Sequence, residues 1–111
     1  MAFPVVIQAA QTECGLGVSA SILQKYGRYQ TISDLRMIVE PGREGLNLAQ
    51  VRNLLRSEGM EVGAYKASSL EQLRDIGKPV ILHWDNSHYV VLVRIRRDRV
   101  QIMDPDRKSV V

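Results

Sequence analysis

The sequence predicts an α+β domain. Apolar residues recur at helical spacing through its first half, and short apolar runs bounded by turn residues fill its second. Length sets the scale, since 111 residues suffice for one hydrophobic core and are too few for two. The hydrophobic share of 45% and charged share of 24% are ordinary for a globular chain, so one domain over residues 1–111 is expected.

The elements follow in order. Phe3, Pro4, Val5, Val6 and Ile7 read as a short extended lead-in. Leu16, Val18, Ile22 and Leu23 then mark a first helix over residues 14–26, opened by Thr12 or Glu13 and stopped by Gly27. A second helix over residues 32–39 has Leu35 and Ile38 as core positions, and the proline and glycines of residues 40–45 make a turn. In the third, Asn47 is the N-cap, Leu48, Val51, Leu54 and Leu55 form an apolar stripe, and Gly59 ends it. Residues 61–65 read as a strand and residues 69–74 as a short helix capped by Ser69. Strands over residues 79–83, 89–94 and 99–103 close the chain, joined by turns at residues 84–87 and 97–98.

Composition excludes several classes of function. The longest apolar runs are strand-length, far below the ~20 residues of a membrane span, and no charged-then-apolar leader opens the chain, which points to the cytoplasm. A single cysteine makes no internal disulfide and no cysteine-rich zinc site, and the two histidines lack a familiar ligand spacing, so no metal is expected. Net charge is +3, with Arg94, Arg96, Arg97, Arg99, Arg107 and Lys108 supplying much of the excess. With 5% aromatics and no recognition motif, a solvated basic hairpin accounts for these better than nucleic-acid binding. The charge also suits an anionic membrane surface.

Chemistry centres on Cys14, at the mouth of the first helix. The unpaired N–H groups and macrodipole of a helix N-terminus favour thiolate, which is the nucleophilic form. The alternative is a buried packing cysteine, against which the polar run before it and Gly15 after it argue. A nucleophilic thiol needs a base, a group that orients the base, and oxyanion donors. If residues 84–87 form a hairpin turn, His83 and His88 face each other across its mouth, and both fall near one site. His88, following Asn86 and Ser87 at a strand edge, is the better placed of the two. Asp104, fixed at a strand end by Pro105, can orient an imidazole, whereas Asp85, Asp98 and Asp106 read as turn residues. For the oxyanion, Gln8 and Gln11 are rival side-chain donors beside the Cys14 N–H.

Together these residues resemble the cysteine peptidase domain of bacterial peptidase-containing ABC transporters, which trims double-glycine leaders from bacteriocin-type peptides. The family pattern reads here as Gln8, then Glu13-Cys14-Gly15, then His88-Tyr89-Val90-Val91-Leu92, then Asp104-Pro105, and it extends over nearly the whole chain. Tyr26-Gly27-Arg28-Tyr29, Gly45-Leu46-Asn47 and Leu82-His83-Trp84 fit it too. The resemblance implies a papain-like fold with Cys14 as nucleophile, His88 as general base and then acid, Asp104 orienting His88, and Gln8 stabilising the oxyanion. It selects Gln8 over Gln11 by the family's spacer, and it leaves His83 a neighbouring or structural role. It implies cleavage after a Gly-Gly or Gly-Ala leader end, with an amphipathic leader helix lying in an apolar groove. The partners would be a precursor peptide and the transmembrane and nucleotide-binding domains of an exporter, at the cytoplasmic face of the plasma membrane, with the isolated domain soluble. No cofactor is implied, ATP being used only by the separate nucleotide-binding domain. Family domains usually continue past Asp-Pro with another strand, so the chain is expected to be the N-terminal part of a longer transporter, truncated at its C-terminal end. The competing readings are a peptidase-like docking domain that binds without cutting, and an arylamine acetyltransferase or transglutaminase-like enzyme. The presence of Cys14 opposes the first, and the short chain and the Gln8 to Gly15 motif oppose the second.

Overall fold

The computed structural model describes residues 4, 6, 11–43, 45–63, 79–84, 88–96 and 99–105. Among these, a single 3-10 turn, Gln11–Glu13, runs directly into α1 (Cys14–Lys25), followed by α2 (Ile32–Arg36) and α3 (Leu48–Ser57). The strands β1 (Val80–Trp84), β2 (His88–Arg96) and β3 (Arg99–Met103) then form an antiparallel sheet in the order β1-β2-β3.

Helix α1 is the centre of the molecule. Every residue from Cys14 to Leu23 is buried, because β2 packs on one side of the helix and α2 and α3 on the others. Its two buried serines are each satisfied by a carbonyl: Ser19 Oγ donates to the Gly15 carbonyl at 2.7 Å, and Ser21 Oγ donates to that of Pro4. The second bond ties the lead-in to the helix. Leu16, Val18 and Leu23 meet Tyr89 and Val91 of β2 and Met103 of β3 in one core. Burying a side chain of this size contributes about 1.5–3 kcal/mol.

The flanking helices are short and locally specified. Asn47 and Gln50 form a reciprocal capping box on α3, Oδ1 of Asn47 accepting from the Gln50 N–H at 2.8 Å. Val51, Leu54 and Leu55 are its buried face, whereas Leu48, expected in the stripe, is 49% exposed. Thr31 and Asp34 cap α2 in the same way, and the two hydrogen bonds from Thr31 hold the Asp34 carboxyl below its ordinary value. Helix α2 is shorter than the sequence predicts. After Arg36 the chain turns with i to i+3 bonds toward Pro41, which leaves Ile38 54% exposed rather than in the core. Gly27 and Gly59 end α1 and α3 with φ of 84° and 91°, as their positions in the sequence predict.

Two other expectations meet limits. Glu61, Val62 and Gly63 join no strand, so the first strand read over residues 61–65 is absent where it is described; Ala64 and Tyr65 lie outside the described residues. The helix read over residues 69–74 and the turn at residues 97–98 lie outside them as well. The three later strands appear as expected to within two residues, β3 without change. Pairing shifts between Leu92 and Arg94, which places a bulge at Val93.

Candidate active site

Cys14 is the first residue of α1 and is 3% exposed. Its helix mouth carries no side-chain cap, because Glu13 occupies the N-cap position at φ −100° and ψ 8° and its carboxylate turns away to Arg36 of α2. The backbone N–H groups at that mouth are thus left to other acceptors. The backbone N–H groups of Tyr89, Gly15 and Cys14 itself favour the anionic form of its sulfur.

Burial nevertheless decides the state of the thiol. Desolvation pushes it up from its ordinary value, the three N–H groups act against that, and the nearby Asp104 carboxylate adds to the rise. The helix mouth by itself predicts a lowered thiol, and that expectation is overturned. The same packing that fixes Cys14 removes the water that would stabilise its anion.

The register places the other groups. Val91 pairs with Met103, so continuing β3 by one residue sets Asp104 opposite Val90, the diagonal neighbour of His88 on the same face. The His88 Nε2 atom lies 3.1 Å from each of the two Asp104 carboxylate oxygens. Asp104 is buried and His88 partly so. Pro105 is wedged against α1 so closely that a Cβ added to Gly17 would stand 2.7 Å from the proline Cβ. Only a residue without a side chain lets that corner, and Asp104 with it, approach the helix so nearly.

His83 belongs elsewhere. The register pairs it with Tyr89, and pairs Trp84 with His88, so the pleat sends the two histidines to opposite faces. The expectation that both face one site across the hairpin mouth fails because the strands extend to Trp84 and His88. The His83 ring stacks on Tyr89 with centroids 4.2 Å apart and planes 10° from parallel. Its Nε2 is buried with no hydrogen-bond partner among the described residues.

Tyr89 is the residue that sequence reasoning missed. It is fully buried, and its hydroxyl donates to the Leu46 carbonyl at 2.8 Å, joining β2 to the loop before α3. Burial, with Cys14 adding to it, pushes that hydroxyl up to about 12, so it stays a neutral donor. An aromatic directly after the strand-edge histidine was the available signal. Gln8 lies outside the described residues, as do Asp85, Asp98 and Asp106; Gln11 falls in the 3-10 turn.

Comparison with known proteins supplies the context. The chain is 36% identical over 104 residues to the colicin V secretion/processing ATP-binding protein CvaB of Escherichia coli, covering 94% of this chain and 15% of that relative. It therefore spans about 15% of the length of the curated relatives that it matches. Among solved structures it resembles a double glycine motif protease from an AMS/PCAT transporter in complex with the leader peptide. That match has a TM-score of 0.88 and 31% identity, over 97% of this chain and 76% of that one. It also resembles the peptidase domain of Streptococcus ComA, a bi-functional ABC transporter of a quorum sensing pathway. Here the TM-score is 0.84 with 26% identity, over 95% of this chain and 80% of the other. These likenesses bear out the expected α+β peptidase fold. Residues 2–111 match the profile of the Peptidase C39 family, and to that family the chain belongs.

Proposed function

We propose that this chain is a cysteine peptidase that removes double-glycine leaders from bacteriocin-type precursor peptides, as one part of an exporter with transmembrane and nucleotide-binding domains. The observation that carries the reading is the placement of His88 Nε2 between both oxygens of Asp104, on the strand whose next residue, Tyr89, has a backbone N–H that favours the Cys14 anion.

In this reading the Asp104 carboxylate accepts from Nε2–H and fixes the tautomer, which turns Nδ1 into the basic nitrogen for the thiol. The thiol, held up by burial, needs that base. Nδ1 takes the Sγ proton as sulfur attacks the carbonyl carbon of the second glycine. The resulting oxyanion is met by the N–H of Cys14 at the uncapped mouth of α1, with the Gln8 amide as second donor. As the C–N bond breaks, His88 returns its proton to the leaving amine, leaving a thioester on Cys14. Water then attacks, His88 accepts its proton, and the C–S bond breaks to release the leader carboxylate and the thiol. The relatives' names, secretion/processing proteins and a double glycine motif protease bound to a leader peptide, support the substrate class.

A synthetic precursor ending its leader in Gly-Gly should be cut directly after that pair, as read by mass spectrometry. Cys14→Ala should abolish cutting and retain leader binding. Cleavage by the pure alanine variant would sink the assignment, and binding without cutting by the unmodified protein would favour a docking domain. His88→Ala should confine alkylation of Cys14 by iodoacetamide to pH above the ordinary thiol range. A raised thiol without its base ionises only as the pH climbs.

A further inference from the structure

The loop before α3 packs on the chain both before and after Cys14. A Cβ added to Gly45 would stand 3.1 Å from the Thr12 carbonyl oxygen. Leu46, 4% exposed, lies against Gly15, where an added Cβ would stand 3.2 Å from the leucine Cβ. A buried hydroxyl fastens this loop to the sheet, since Tyr89 donates to the Leu46 carbonyl at 2.8 Å. The tyrosine ring is backed in turn by the His83 ring, stacked on it at 4.2 Å. The buried Nε2 of His83 has no hydrogen-bond partner among the described residues. A polar atom left so is a cost, and what the imidazole supplies in return is a flat face.

We propose that Tyr89 is a positioning residue for the reaction, with His83 as the plate behind its ring: the hydroxyl holds Leu46 against Gly15 and so sets Cys14 against the strand that carries His88. The inference rests on Cys14 being the nucleophile and His88 its base. The hydroxyl proton is spent on a backbone carbonyl, so Tyr89 acts through the loop and not on the reacting atoms. A phenylalanine in its place would keep the stack and leave the buried Leu46 carbonyl without its donor, which favours a shift of the loop. Displacement of a reacting group on the order of an ångström costs up to about a hundredfold in rate.

The test is turnover of a synthetic Gly-Gly leader precursor, with alkylation of Cys14 by iodoacetamide at pH 7 as a second readout. Tyr89→Phe should lower kcat by about tenfold with little change in KM, and alkylation should slow several-fold. Burial and Cys14 push the tyrosine hydroxyl up to about 12, so it carries no charge at pH 7 and the slowing reports placement, not a lost charge. His83→Ala, which removes the plate, should lower kcat and slow alkylation in the same way, and His83→Phe, which restores a flat ring, should recover both. A lowered thermal midpoint with kcat and alkylation unmoved in Tyr89→Phe would make the bond a structural brace and overturn the proposal. A raised KM with kcat kept would assign the loop to substrate binding and overturn it too. Should Tyr89→Phe not fold, the two His83 variants carry the test, and equal kcat and alkylation in both then overturns it. Alkylation reports the thiol whether or not a peptide is cut, so failure here is distinct from failure of the Cys14→Ala experiment.

Discussion

Helices α1 and α3 are of similar length and reach their ends differently. Helix α3 is built from local chemistry, with a reciprocal cap at Asn47 and Gln50, one buried face and a solvated one. Helix α1 has no side-chain cap, two glycines and two serines among its first eight residues, and ten successive buried residues. Its propensity is poor, and tertiary packing holds it together. The difference is instructive because the weaker helix carries the thiol. In the proposed mechanism a side-chain cap would spend N–H groups that a substrate oxyanion needs, and without one the cost of forming α1 falls on its neighbours.

That contrast can be broken from either side. The largest effect is expected at the site itself, where Asp104→Ala should lower kcat on the order of a hundredfold by freeing His88, with the leader still bound. Next, Leu23→Ala in α1 should destabilise the fold by about 2–5 kcal/mol in denaturant titration, since the fully buried side chain leaves a cavity. Asn47→Ala in α3 should cost about 1 kcal/mol, the worth of a cap. Leu48→Gln, on the exposed face of that helix, should change stability by no more than about 0.5 kcal/mol in the same assay.

The same contrast explains what the sequence discloses. Asn47, Gly27 and Gly59 announce their roles because caps and stops act over three or four residues. The strands β1 to β3 are legible because their apolar runs are bounded by turn residues. Ile38 and Leu48 continue helical patterns, and they are exposed because α2 stops early and α3 turns that position outward. Both are decided by packing, which spacing does not encode. At the site, Cys14, His88 and Asp104 are visible as residue types at element edges. The parity separating His83 from His88 depends on where the strands end, a matter of one residue. The raised thiol is invisible to local reasoning, since the helix mouth argues one way and the burial of the whole helix argues the other more strongly.

The Tyr89 hydroxyl bond to the Leu46 carbonyl spans 43 residues, whereas His88 and Asp104 are only 16 apart. These separations imply an order of assembly. The hairpin can close its own pair early, since short loops cost less entropy to close, while its arrival at the helical half waits on the longer closure. Until the tyrosine is seated, thiol and imidazole belong to separate pieces of an unfinished protein. A newly made chain would hold the thiol without its imidazole partner until β2 and β3 dock.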